Sequence, residues 1–194
     1  MSGLEVALSV VLGVGLAAAT GFRLFLPMLI ASTAAYTGHL SLDPSFAWLA
    51  TPAALTMLGV AAVVEVLAYY VPGFDNLLDT LATPAAFVAG TVVSAAVITD
   101  MPPLVKWTAA VIAGGGIAGL TQAATAMLRA NSTVLTAGLG NPVIATAELG
   151  GALIVSILAL VAPLAAFMMI VLFIWWAISL LRQRMQRSTT KNSR

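Results

Sequence analysis

AAATGFRLFLPML, residues 17–29, sets one arginine inside an apolar stretch that runs from about Val6 to Tyr36. An uncompensated charge in a membrane span costs at least a few kcal/mol, so Arg23 needs partners, water or a place at the end of a span. Gly21 allows a tight turn just before it, and Pro27 suits the first turn of a following helix. The stretch therefore reads as the tip of a short helical hairpin, and the chain as a stack of such apolar helices.

Composition agrees with that reading. The 194 residues are 61% hydrophobic and 8% charged, with a mean hydropathy of +1.05, against roughly a quarter charged in soluble domains. The fold class is all-α, a polytopic helical membrane protein, and the lipid bilayer is its first partner. The length allows about six or seven spans of roughly 20 residues and no soluble domain, so residues 1–182 form one membrane domain. There is no cysteine, which excludes disulfides, thiolate metal sites and a cysteine nucleophile. A net charge of +1 gives no field to recruit nucleic acid. MSGLEVALS carries Glu5 and no basic residue, so the first apolar segment is expected to stay rather than be cleaved as a signal peptide.

Three pairs announce helix starts: Thr51-Pro52, Thr83-Pro84 and Asn141-Pro142, each a capping side chain followed by a proline whose missing N–H is no loss in the first turn. With these anchors about seven membrane helices are predicted. They run over about 4–20, 24–38, 52–71, 75 or 84 to 98, 103–130, 142–161 and 164–181, with Gly114, Gly115 and Gly116 as a kink or close-packing point in the fifth. The first two are short, about 26 and 22 Å against a hydrocarbon core of about 30 Å. They form either a spanning pair or a re-entrant hairpin, and both return the chain to the side it left.

Successive spans alternate direction. Counting back from the C-terminus, the turn at 21–23 and the loops at 72–75 and 131–141 share its side. That side holds Arg23, Arg129, Arg182, Arg184, Arg187, Lys191 and Arg194, while the other holds Lys106 with His39, Asp43 and Asp100. The positive-inside rule then places the C-terminus in the cytoplasm and the N-terminus outside, in the inner (cytoplasmic) membrane, with residues 183–194 as a basic cytoplasmic tail. A weak echo between 51–72 and 141–163 fits an inverted repeat, since those two helices run antiparallel in this topology.

The same topology gathers charge. Glu65 lies about 10 Å inside the tail-side end of the third helix and Glu148 about 9 Å inside that end of the sixth, so both acids reach one depth. Arg23 is expected to meet Glu65, Glu148 or both. Asp75 and Asp79 share a helix face in GFDNLLDTLATP and either accept a cation or serve a helix N-terminus. In RANSTVLTAGLGNP, Asn131 and Asn141 stand beside Gly138 and Gly140, in a segment that lines a polar cavity or simply turns. Arg23, Glu65, Asp75, Asp79, Asn131, Asn141 and Glu148 are thus the candidate substrate- or ion-binding residues. No catalytic residue, metal site or cofactor is expected: His39 is alone, and no HExxH, phosphate loop or G-x-S-x-G occurs. Trp48, Trp107, Trp175 and Trp176 read as interfacial aromatics.

GFRLFLP at 21–27, Glu65 followed by PGFDNLLD at 72–79, Ala89-Gly90, and RANST through GLGNP to Glu148 together resemble a bacterial membrane family catalogued as domain of unknown function 4126. The resemblance covers almost the whole chain apart from the basic tail. It carries over Arg23, Glu65, Asp75, Asp79, Asn141 and Glu148 and brings no activity with it. This chain departs from the pattern at Tyr69-Tyr70, where the family tends to have Asp-Lys, and at Leu149, where a second acid is common.

Two functions follow as expectations. One is a small transporter or channel whose cytoplasm-facing polar cavity is built from Arg23, Glu65 and Glu148. The other is a non-transporting assembly, scaffold or lipid-organising protein in which the same charges lock helices together. Neither is an enzyme, and a homo-oligomer is compatible with both.

Overall fold

A computed structural model describes residues 3–70, 74–172, 175 and 179, without the side chains of 74–79. It is helical throughout, among the described residues. The helices are α1 (Gly3–Thr20), α2 (Phe25–Tyr36), α3 (Pro52–Ala68), α4 (Phe74–Val97), α5 (Pro103–Ala109), α6 (Gly116–Thr136) and α7 (Asn141–Val161), and α8 (Pro163–Leu172). A 3₁₀ helix, Pro44–Ala50, precedes α3, and a π-helical segment, Ala110–Gly115, joins α5 to α6.

Among the described residues, four helical segments are long and apolar enough to cross a membrane: Gly3–Thr20, Thr80–Val97, Pro103–Thr136 and Asn141–Val161. A fifth span arises if the 3₁₀ helix and α3, bent by 68° at their junction, are taken together. The expected count of about seven membrane helices is thus not confirmed: among the described residues four or five segments qualify, and α2, with 12 residues, is about 18 Å long and too short to cross alone.

Each boundary has a local cause. Thr51 caps α3 as expected, its Oγ1 accepting from Ala54 N at 3.2 Å. Thr83-Pro84 does not start a helix: α4 begins at Phe74 and carries Pro84 inside it. Pro84 cannot donate to the carbonyl of Thr80, and a membrane helix tolerates this where neighbours re-satisfy the freed group. Asn141 is the first residue of α7 rather than its cap, which is Gly140. The 131–141 segment, read as a loop, is helical to Thr136, because RANSTVLT holds no glycine or proline. The chain leaves α6 only where Ala137 and Gly138 adopt left-handed φ values of 51° and 86°.

α1 sits at the centre, packed against α4, α6 and α7. Its second half, Gly13 to Thr20, is buried throughout. Small residues allow this closeness, as is usual where helices associate in lipid. A Cβ on Gly90 would overlap Ala118 and stand 2.9 Å from the Gly114 carbonyl, so α4 and the π segment touch backbone to backbone. α3 leans instead on α2 and the 3₁₀ helix, at one edge of the bundle. At the end away from Arg23, Lys106 Nζ donates to Asp43 Oδ2 at 2.7 Å, joining the segment after α2 to α5.

Candidate functional site

At the opposite end from Lys106, five buried side chains from four parts of the chain converge. Arg23 follows the turn that ends α1, and Gly21 in that turn presses on Ala118 and Thr121 of α6, leaving no room for a Cβ. The turn is therefore pinned, and Arg23 reaches α7: its Nη2 donates to the Ala145 carbonyl at 2.8 Å and lies 3.6 Å from Glu148 Oε2. The other carboxylate oxygen, Glu148 Oε1, is 3.0 Å from Nη2 of Arg129 on α6. One carboxylate thus bridges two guanidinium groups.

Tyr69, which ends α3, completes the arrangement. The guanidinium carbons of Arg23 and Arg129 lie 4.0 and 4.3 Å from its ring centroid, within cation–π range. Neighbouring Tyr70 bonds through its hydroxyl to Thr146 Oγ1 at 2.8 Å, a second tie between α3 and α7. Glu65, one turn before Tyr69, faces the start of α2. Its two oxygens accept from Leu24 N at 2.7 Å and Phe25 N at 3.0 Å. Those N–H groups have no partner within their own helix, so Glu65 caps α2 from another helix and meets the positive end of its dipole.

Arg23 and Arg129 are each 1% exposed. An arginine carries five N–H donors. On Arg23 the Nε and Nη1 groups, three of the five donors, have no hydrogen-bond acceptor among the described residues. Along α6 the buried residues Thr121, Gln122, Thr125 and Arg129 recur every three or four positions, a polar stripe that leads from the cluster toward the middle of the membrane span.

Against the family models, residues 10–183 match the one described as "Domain of unknown function (DUF4126)". The chain belongs to this family. No curated protein and no solved structure matches it.

In this member of the family the predicted residues separate into groups. Arg23, Glu65 and Glu148 meet in the cluster, but with divided roles: Arg23 pairs with Glu148, whereas Glu65 holds backbone N–H groups. Asn141 is buried beside them, its Nδ2 donating to Thr133 Oγ1 at 3.0 Å and so fastening the turn between α6 and α7. Asn131 stands apart. It is exposed on α6, donates to its own helix at Met127 O, 2.7 Å away, and lines a surface pocket of about 390 Å³ with Ala130, Val134 and Leu135. Asp75 and Asp79 fall on the first turns of α4, where side chains lie outside the described residues, as does the tail at 183–194.

Two members of the cluster were not among the sequence candidates. Arg129 falls at the end of the helix expected over 103–130, beside the segment read as a loop, and the missing helix breaker after it was the sign that α6 continues past it. Tyr69 is four residues after Glu65 and so shares its helix face, which was the available signal.

Beside the cluster, a groove of about 670 Å³ opens between α3 and α4, with α2 at its base. It is walled by aliphatic side chains, and Glu65 and Tyr69 line one end.

Proposed function

We propose that the chain is a small membrane carrier in which Glu148 exchanges its arginine partners for a proton or cation during the transport cycle. On the strength of the Lys/Arg bias we place the cluster on the cytoplasmic side of the inner membrane, with the N-terminus outside. The observation that carries the reading is Arg23, a fully buried guanidinium with three donors unmet among the described residues, beside a carboxylate that Arg129 also engages. Helices that only need stapling are served as well or better by apolar contacts, and each unmet buried donor costs about 1–3 kcal/mol. Ionisable groups kept inside a span at such cost mark ion and substrate paths. The polar stripe on α6 gives this one a direction.

The scaffold reading rests on a different observation: both oxygens of Glu65 are engaged by backbone N–H groups, as a structural clasp requires.

Proteoliposomes with an entrapped pH dye distinguish the two. Under an imposed pH gradient and a potassium diffusion potential, the wild-type chain should collapse the gradient well above the rate of empty vesicles. Glu148→Gln should slow this at least about tenfold per folded molecule, a rise of about 1.4 kcal/mol in the barrier. A wild-type rate equal to that of empty vesicles, or an unaffected variant, would leave the clasp as the better account.

A further inference from the structure

We propose that the groove between α3 and α4 is a binding site for a membrane amphiphile whose head is a protonated amine. As the identity of a carrier's substrate this rests on the preceding reading; as a binding site it stands on the geometry of the groove.

The groove follows α3 from Thr56 to Tyr69, thirteen residues, or about 20 Å at the usual rise. A volume of about 670 Å³ over that length gives a mean cross-section on the order of 30 Å². An α-helix, about 10–12 Å across with its side chains, needs on the order of 80–110 Å². The space therefore suits an extended alkyl chain, whereas a helix from a second copy would leave most of its cross-section outside it. Its volume is within the usual range of small-molecule sites, about 300–1,000 Å³.

Polarity runs along the groove as it runs along a lipid. Met57 and Val64 of α3 and Leu81 and Ala85 of α4 make the long walls apolar, and these helices belong to segments that suit a bilayer. The polar end lies near the C-terminus of α3, the end that also carries the charged cluster. Among the described residues lining the groove, Glu65 is the one charged group. Arg23, Arg129 and Glu148 do not line it, and the two arginines are turned to Glu148 and the Tyr69 ring. A head entering from the membrane meets a carboxylate edge and a phenol, so charge complementarity selects an ammonium and disfavours a carboxylate or phosphate. Each Glu65 oxygen accepts one backbone N–H in the structure, and a carboxylate oxygen can accept a second donor. An ammonium can therefore dock without breaking the cap on α2.

The test compares hexadecylamine, palmitate and hexadecanol, which share a chain and differ in head charge. Binding to the full-length chain is counted by native mass spectrometry for wild type, Glu65→Gln and the groove-filling variants Ala85→Phe and Ala61→Phe from opposite walls. Wild type should take one hexadecylamine at least about tenfold more tightly than palmitate. Glu65→Gln should reduce that preference to under about twofold while still taking hexadecanol, which shows that the groove is intact. Either filling variant should lose all three. Equal binding of palmitate, a preference that survives Glu65→Gln, or binding that survives both filling variants would overturn the site. Amine binding without proton flux in the proteoliposomes would remove the carrier reading alone; flux without amine binding would remove the site alone.

Discussion

Replacing Glu148 by glutamine tests whether this carboxylate neutralises the two buried arginines. The variant keeps the shape of the side chain and one acceptor oxygen but removes a charge that lies within 4 Å of both Arg23, at 3.6 Å, and Arg129, at 3.0 Å. Removing one partner of a buried pair costs about 3–5 kcal/mol, because the remaining charge is left in a poor solvent. Arg129→Met alone should fall at the low end of that range, since Glu148 retains Arg23. The double variant removes opposite charges together and leaves Arg23 near Glu65, so its cost should fall short of the sum of the singles by at least about 1.5 kcal/mol. Equilibrium unfolding in mixed micelles with rising dodecyl sulfate, followed by tryptophan fluorescence, measures all four proteins. Additivity within about 0.5 kcal/mol would refute the coupling, as would a Glu148→Gln cost under about 1 kcal/mol.

Two further outcomes probe other parts of the molecule. Gly90→Ala drives a Cβ into Ala118 and to 2.9 Å from the Gly114 carbonyl, so it should destabilise by about 1–3 kcal/mol, whereas Gly59→Ala, which meets nothing within 4 Å, should be neutral or slightly stabilising; equal effects in the same unfolding assay would count against the backbone contact of α4 with the π segment. At the other end of the bundle, the hydrogen bond from Lys106 holds the Asp43 carboxyl below its ordinary value. A depressed folded value means stability that is present above the unfolded value, near 4, and is lost as pH falls through the folded one. Wild type should therefore lose more stability than Asp43→Asn between about pH 5 and pH 3, and parallel thermal-melting profiles for the two would show that the bond contributes nothing.

Much of this arrangement was legible in the sequence, and the rest was hidden for identifiable reasons. Helix type followed from apolar length alone, and the shared depth of Glu65 and Glu148 followed from counting residues inward from Pro72 and Pro142. The division of labour between Glu65 and Glu148 did not, because it depends on where the backbone N–H groups of Leu24 and Phe25 point, which residue spacing does not encode. Thr51-Pro52 and Thr83-Pro84 look alike as dipeptides. Only the first follows a chain break in helical structure; the second lies ten residues into α4, where tertiary packing outweighs the local signal. Tyr69 entered the sequence reading only as a departure from the family's Asp-Lys pair, although its place four residues after Glu65 puts it on the same helix face.

The π segment has a bearing on both ends of the molecule. Pro103–Thr136 is one 34-residue element with Lys106 near its start and Arg129 near its end. An α-helix turns about 100° per residue, and a π turn absorbs one residue more than an α turn. Ala110–Gly115 therefore sets the angular phase between the two ends, by about 100° relative to an unbroken α-helix. Deleting one residue there would let the rod run straight, and Lys106 and Arg129 could no longer face Asp43 and Glu148 at once. Length variation that the turn at 137–140 can absorb is thus excluded from these six positions: they keep two distant ion pairs in step.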